Sequence, residues 1–90
     1  KVDPLEVENA AIGHESVKEC ICIAAEHPVI GPVLKLLVVL EDGFVLDKRS
    51  LAIYLKSKLE PHKIPTYYEA VDKLQHTYNG KLDRKYYRIK

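Results

Sequence analysis

Two apolar stretches set the strongest limit on what this chain can fold into. Val17–Ala25 and Val33–Leu40 are rich in aliphatic and β-branched residues, a composition that favours strands. Both are far shorter than the ~18–20 residues of a membrane-spanning helix. Between them, His27–Pro32 contains two prolines and a glycine, which predicts a structured loop rather than a tight two-residue turn. We expect two paired strands, each buried on at least one face.

The residues before the first strand carry the signals of a helix. Asp3 is suited to the N-cap and Pro4 to the first helical position, and Glu6 is placed to close a capping box. Gly13 follows the expected end of the helix. The residues predicted to face the core are Leu5, Ala11 and Ile12.

A second helix is predicted to begin after the N-cap residue Asp47 and to end before Pro61. Its apolar residues recur every four positions, at Leu51, Leu55 and Leu59. Thr66–Val71 has the composition of a third strand, and a short final helix is predicted from about Asp83. The expected fold is α+β, with a small, mostly antiparallel three-stranded sheet and about three helices.

Length and charge exclude several classes of protein. A chain of 90 residues allows one domain with one modest core. Its 14 Lys and Arg nearly balance 13 Asp and Glu, so the molecule as a whole has no electrostatic reason to bind nucleic acid or an anionic membrane. No signal-peptide pattern is visible, which predicts a soluble cytoplasmic protein. Because the sequence contains no Met, we expect a piece of a longer polypeptide.

The cysteines and histidines do not have the spacing of a metal or redox site. Cys20 and Cys22 lack the partner ligands of a zinc site, and they are predicted to be reduced core cysteines on one face of a strand. No metal-ligand spacing relates the four histidines, which are His14, His27, His62 and His76. No metal site is therefore predicted.

A turn near the end of the sequence is the candidate for chemistry. Asn79 and Gly80 readily adopt positive φ, so they can bend the backbone and leave the stem of Lys81 pointing outward. A phosphate-binding P-loop would need glycine at Gln75 and serine or threonine at Leu82, so that class is excluded. From the turn alone, Lys81 could equally be a solvated surface lysine.

Three blocks, in register over almost the whole chain, carry a resemblance to one family. They are Lys1–Glu8, then Leu59 with Lys63 and Pro65, then Thr77, Asn79, Gly80, Lys81 and Arg84. In these blocks the chain resembles the C-terminal domain of AMP-forming acyl-adenylating enzymes. That family includes acyl-CoA synthetases, peptide-synthetase adenylation domains and firefly luciferase.

The resemblance implies that residues 1–90 form a lid domain hinged to a large N-terminal domain that binds ATP and a carboxylic acid. In the family, the acid first displaces pyrophosphate from ATP; the lid then rotates, and a thiol attacks the acyl-adenylate. The full-length enzyme would use ATP, Mg²⁺ and coenzyme A on a fatty acid or another carboxylic acid. The fragment alone is expected to bind none of these and to be inert.

The resemblance also assigns roles to residues. Lys81 is implied to be the lysine of the adenylation step, because a compact ammonium can contact both an acyl and a phosphate oxygen. The residues implied to support its turn are Thr77, Asn79, Gly80 and Arg84. Those implied to lie on the face used in the thiol step are Lys1, Val2, Asp3 and Pro4. Lys63 is expected to make a structural or interdomain contact.

Two alternatives remain open at this stage. A peptide-synthetase adenylation domain, which loads a carrier protein, has a similar terminal block. A free-standing module that binds RNA or protein would need exposed strand aromatics, for which only Tyr67 and Tyr68 are candidates. The family's usual prolines are replaced here by Gln75 and Tyr78, so control by acetylation of the lysine is not expected. The acyl substrate cannot be read from these residues.

Overall fold

The computed structural model describes residues 3–87, which form an α+β domain as predicted. In chain order the elements are helix α1 (Pro4–Ala11), strand β1 (Val17–His27), strand β2 (Gly31–Leu40), helix α2 (Lys48–Lys56), a 3-10 helix (Pro61–Lys63) and strand β3 (Tyr67–Ala70). The prediction of a helix from about Asp83 is wrong for the residues up to Tyr87, which form successive turns. The rest of that prediction, and the calls on Lys1 and Val2, lie outside the described residues.

The sheet has the strand order β1-β2-β3 and is mixed. Strands β1 and β2 are antiparallel, from the pair Val17 and Leu40 to the pair His27 and Gly31. Strand β3 runs parallel to β2, so the prediction of a mostly antiparallel sheet holds for only one of the two strand pairs. The parallel pairing is possible because the connection from β2 to β3 is long and contains α2, as parallel crossovers require.

The loop between β1 and β2 is structured, as the prolines predicted. Residues 28–30 span the turn, and Nδ1 of His27 accepts hydrogen bonds from the backbone N–H groups of Val29 at 3.1 Å and Ile30 at 3.3 Å. Gly31 adopts a φ of +83°, where a side chain would be strained. One histidine and one glycine therefore define the turn.

Both predicted N-caps are present. The Asp3 carboxylate accepts a hydrogen bond from the N–H of Leu5 at 2.9 Å, and Pro4 occupies the first turn of α1. The Asp47 carboxylate accepts from the N–H of Ser50 at 3.0 Å at the start of α2. These bonds satisfy helix-end donors that would otherwise lack intrahelical partners.

Two predictions for α1 are wrong. Both Glu6 carboxylate oxygens accept from Nζ of Lys63 at 3.0 Å, so Glu6 joins α1 to the 3-10 helix instead of closing a capping box. This hydrogen bond raises the pKa of Lys63. Leu5 and Ile12 are about half exposed. Ala11 is buried as predicted, and it shares the buried face of this short helix with Val7 and Glu8.

Side chains pack on both faces of the sheet, which explains the continuous apolar character of β1 and β2. On the helix-covered face the buried residues are Val7, Ala11, Val17, Cys20, Cys22, Leu36, Val38, Leu51, Leu55, Leu59 and Tyr68. On the opposite face they are Ile21, Leu37, Val39 and Leu74, with Leu82 and Tyr87 packed against them. The segment after β3 thus forms a third layer. Neither α-helix within residues 3–87 has the length and apolar character needed to span a bilayer.

Candidate active site

The predicted turn is the tip of a hairpin formed by residues 75–84, which we call the lysine hairpin. His76 and Leu82 form an antiparallel bridge. The N–H of Asp83 donates to the carbonyl of Gln75 at 2.9 Å, so backbone bonds join the two arms at their base. The position of the tip is therefore coupled to the position of the base.

The tip, residues 77–81, is shaped by local hydrogen bonds and one glycine. Thr77 accepts from the N–H of Gly80 at 2.9 Å and donates from its own N–H to the carbonyl of Lys81 at 2.7 Å. Its hydroxyl contacts the Asn79 side chain and the Lys81 carbonyl. Gly80 alone in the tip has positive φ, +86°, and a Cβ there would meet nothing within 4 Å. Gly80 is thus required for its backbone conformation rather than for space.

Lys81 is exposed at this tip. Within residues 3–87 its ammonium has no carboxylate within ion-pair distance and no hydrogen-bond acceptor. The neighbouring Tyr78 side chain is fully exposed. The tip therefore presents an uncompensated positive charge to whatever lies in front of it.

Arg84 behaves in the opposite way, although it is only three positions further along the chain. Its Nη1 and Nη2 donate to the two carboxylate oxygens of Glu8 on α1, at 2.7 Å and 2.6 Å. Of the Glu8 side chain only 7% is exposed, against 43% for Arg84. Hydrogen bonding to Glu8, together with the charges of Glu8 and Asp3, raises the pKa of Arg84. Arg84 therefore supports the hairpin base through α1.

Glu8 is a residue that sequence reasoning missed as part of this site. Besides Arg84, its carboxylate accepts from the N–H of Cys22 on the outer edge of β1, at 2.8 Å. The signal was present in the helix period, because residue 8 lies on the same face of α1 as Val7 and Ala11. A charged residue on a buried helix face indicates a specific partner.

Further contacts hold the hairpin base against the sheet. Nε2 of His76 lies 3.0 Å from a carboxylate oxygen of Glu19 on β1. The N–H of Gln75 donates to the hydroxyl of Tyr87 at 2.7 Å. Leu82 packs against the apolar cluster on the sheet face opposite the helices. The base is thus held by contacts with α1, β1 and Tyr87, whereas the hydrogen bonds of the tip are made among its own residues.

The residues predicted for the thiol step lie at the other end of the chain. Asp3 and Pro4 are exposed at the start of α1, and Lys1 and Val2 are outside the described residues. Because Asp3 and Glu8 belong to the same helix, α1 physically connects this face to Arg84. Helix α1 thus carries the residues predicted for the thiol step at its start and binds the base of the lysine hairpin through Glu8.

Cys20 and Cys22 are free and buried, which confirms the prediction that they lie in the core. Burial, and secondarily the charge of Glu8, raises the pKa of each thiol to about 12. Such thiols stay protonated near neutral pH and are poor nucleophiles. Residues 3–87 contain no group of three or more His, Cys, Asp or Glu side chains placed to hold a metal ion.

The amino-acid sequence matches a known family model and known proteins over most of its length. Residues 6–81 match the family model of the AMP-binding enzyme C-terminal domain. Human acyl-coenzyme A synthetase ACSM1, named as mitochondrial, is 35% identical over 95 residues, which cover 100% of this chain and 16% of the relative. Gramicidin S synthase 2 from Brevibacillus brevis is 38% identical over 81 residues, covering 89% of this chain and 2% of the relative.

A solved structure agrees with these relatives. The crystal structure of Brucella canis acyl-CoA synthetase superimposes with a TM-score of 0.85 and 30% identity, covering 94% of this chain and 16% of that one. This chain therefore spans only a small part of the length of the proteins it matches. It belongs to the family of AMP-binding enzyme C-terminal domains, which is found in acyl-CoA synthetases and other adenylating enzymes of the firefly luciferase superfamily.

Proposed function

We propose that residues 1–90 are the lid domain of an AMP-forming acyl-CoA ligase, and that Lys81 is its lysine for the adenylation step. The observation that carries this proposal is an exposed ammonium, without an ion-pair partner in the part of the chain that the structure describes, on a hairpin whose base is fixed to α1 and the sheet. Relatives several times longer than this chain support a large N-terminal domain as its partner. That domain would bind ATP and the carboxylic acid, and the complete ligase would use coenzyme A.

In the adenylation step the substrate carboxylate attacks the α-phosphorus of ATP, and the bond to pyrophosphate breaks. Negative charge builds up on the bridging and equatorial oxygens around that phosphorus. The Lys81 ammonium would lie between an acyl oxygen and a phosphate oxygen, where a positioned charge lowers the barrier. An ammonium with no ion-pair partner among residues 3–87 is available for this contact.

Magnesium in this reaction would accompany the phosphates of ATP. The described residues of this domain offer no carboxylate cluster that fits it, so we assign it no ligand here. The lid would supply charge through Lys81, and the tip residues would set where that charge lies. The residues that shape the tip are Thr77, Asn79 and Gly80.

After adenylation, rotation of the lid would bring the start of α1 to the active centre. Asp3 and Pro4 are exposed there, as lining a passage for the pantetheine arm of coenzyme A requires. The thiol would then attack the acyl carbonyl and release AMP. Lys1 and Val2 belong to the same proposed face.

Substitution of Lys81 tests the proposal. In the complete ligase, Lys81→Ala should slow adenylate formation by roughly 10²–10³-fold, the scale seen when one preorganised charge or donor is removed. Pyrophosphate exchange with ATP measures this step. Thioester formation from preformed acyl-adenylate should be unchanged, because Lys81 would then face away from the reaction.

The matched control is Lys85→Ala, which removes an exposed cation four positions away. It should leave both half-reactions within about twofold, since most surface charges contribute little. Equal losses in the two half-reactions of the Lys81 variant would contradict the assigned role.

The fragment itself provides a second test. Residues 1–90 alone, shown to be folded by circular dichroism, should neither exchange pyrophosphate nor form a thioester. Substantial activity from this piece would refute the lid assignment.

A peptide-synthetase adenylation domain is the second candidate, supported by the match to gramicidin S synthase 2. The acceptor distinguishes the two: coenzyme A for the ligase, and a carrier-protein phosphopantetheine for the synthetase. An RNA-binding module has less support, because Tyr68 is buried and only Tyr67 of the two strand tyrosines is partly exposed. Fatty-acid specificity and a cytoplasmic location stay predictions, the latter beside a relative named as mitochondrial.

A further inference from the structure

We propose that Glu8 and Arg84 are positioning residues for Lys81. Their ion pair would hold the base of the lysine hairpin in one orientation, so that the ammonium enters the adenylation centre at a fixed point. This inference rests on the proposed function and goes beyond it, because neither side chain is required to touch substrate.

The contact between the two residues fixes orientation as well as distance. Both terminal nitrogens of Arg84 donate to Glu8, one to each carboxylate oxygen. A planar guanidinium bound at two points cannot rotate about a single hydrogen bond. Since Arg84 follows Lys81 by three residues, with Asp83 bonded across the hairpin to Gln75, movement of Arg84 would be transmitted to the tip.

Glu8 can act as the fixed end of this pair. It lies on α1 between Val7 and Ala11, which are both fully buried. One of its oxygens also accepts from the N–H of Cys22 on β1, so the carboxylate is tied to the sheet as well as to the helix. The restraint therefore runs from the sheet, through Glu8, to the hairpin.

The energetics of burial make this restraint persistent. A carboxylate with 7% of its side chain exposed has lost most of its hydration, and removal of its only ion-pair partner in the described residues leaves the N–H of Cys22 as the one hydrogen bond that compensates this loss there. The contact of His76, on the other arm of the hairpin, with Glu19 on β1 is the weaker one, because both side chains are about one-third exposed and open to screening by water and salt. Glu8 and Arg84 are thus the stronger polar restraint.

The expected effect follows from how catalysis depends on position. A misplacement of a reacting group by about 1 Å can cost on the order of 10²-fold in rate. Loss of Arg84 should therefore slow adenylation by about 10–100-fold. It should leave thioester formation from preformed adenylate within about twofold, because that step does not use Lys81.

A double-mutant cycle in the complete ligase tests the proposal. Arg84→Ala is compared with the parent, and the same change is made in a Lys81→Ala background. If Arg84 acts only by positioning Lys81, it should slow adenylation in the parent and have no further effect once Lys81 is gone. Pyrophosphate exchange and single-turnover thioester formation provide the two readouts.

Conservative variants and a control complete the design. Arg84→Lys keeps the charge but loses the two-point contact, so it should restore part of the lost adenylation rate. Glu8→Gln keeps the size and the bond to Cys22 but removes the charge, and it should show the same dependence on Lys81. Lys85→Ala, one residue from Arg84, should change neither half-reaction.

The outcomes separate this proposal from the one on which it rests. Losses from Arg84→Ala and Lys81→Ala that multiply, or equal losses in both half-reactions, would overturn the positioning role while leaving Lys81 catalytic. A Lys81→Ala variant with normal adenylation would overturn both. If Arg84→Ala does not fold, Arg84→Lys and Glu8→Gln decide by the same criteria.

Discussion

The tip and the base of the lysine hairpin are built on opposite physical principles. The tip, residues 77–81, is exposed and held by bonds among its own residues, with Gly80 in a left-handed conformation. The base is held by residues far away in the sequence, above all by Glu8. The difference shows how a domain can fix the place of a cation without neutralising it.

The residue that holds the hairpin and the residue that presents the exposed charge are different ones, three positions apart. If Lys81 itself carried the restraint, its ammonium would be paired with a carboxylate and would have to exchange that partner for an incoming phosphate. Arg84 carries the restraint instead, three residues away. Under the proposal made above, Lys81 can stay unpaired among the described residues and still be positioned through Arg84.

The largest effect on stability is expected from breaking the base with Glu8→Ala. This change leaves Arg84 without its anion and the Cys22 N–H without its acceptor. The free energy of unfolding should fall by about 2–3 kcal/mol, below the range for fully buried pairs because water can reach part of Arg84. Urea unfolding measures the loss.

Asn9→Ala, the next residue on α1 and exposed, is the control for this change. It should alter the free energy of unfolding by less than ~0.5 kcal/mol, as is usual for surface substitutions. A Glu8→Ala variant as stable as the Asn9 control would show that the base is not held by the ion pair.

A smaller effect is expected at the tip from Gly80→Ala. An alanine at a φ of +86° is strained, and the tip must either accept about 1–2 kcal/mol of strain or change shape. Adenylation should therefore fall more than global stability does. Tyr78→Ala, which removes a fully exposed side chain from the same tip, should leave the free energy of unfolding unchanged. Unaltered adenylation in Gly80→Ala would show that the shape of the tip is unimportant.

The smallest effect is expected from alkaline pH, which acts near the base. Burial and the charge of Glu8 raise the pKa of Cys20 and Cys22 to about 12, whereas an unfolded thiol ionises near ~8.5. As pH approaches and passes that value, the unfolded chain binds fewer protons than the folded one, so stability falls as pH rises. Urea unfolding at pH 7.5 and pH 8.5, where the unfolded thiols begin to ionise, should show a decrease of less than about 1 kcal/mol.

The control for the pH effect is the double variant with Cys20→Ala and Cys22→Ala. Its stability should depend less on pH over the same interval, because the two buried thiols are gone. If the slope with pH is unchanged, groups other than these thiols cause it.

Features encoded by neighbouring residues could be predicted from the sequence. The N-caps Asp3 and Asp47 and the glycine turn that exposes Lys81 depend on contacts within a few positions. Strands β1 and β2 could be predicted from the apolar, β-branched composition of their own residues. The sequence also located the candidate lysine through the resemblance of three spaced blocks. Its catalytic role remains the proposal made above.

Features that depend on distant residues could not be predicted. The capping box predicted for Glu6 does not form, because both its carboxylate oxygens accept from Nζ of Lys63. The helix period indicates that Glu8 has a partner, but no local pattern identifies that partner as Arg84. The parallel direction of β3 follows from the path of α2 across the sheet, which no local pattern contains. The expected final helix is replaced by turns as far as Tyr87, where packing on the sheet competes with helix propensity.

The pair of Glu8 and Arg84 joins residues that are 76 positions apart. Closing so long a loop has a large entropic cost, which is offset only when the intervening strands and helices are already in place. The ion pair should consequently be among the last contacts to form during folding. On the ribosome, a nascent chain that has not yet exposed residue 84 would have to bury the Glu8 carboxylate, on the inner face of α1, without its ion-pair partner. We therefore expect folding to be completed only after that arginine has emerged.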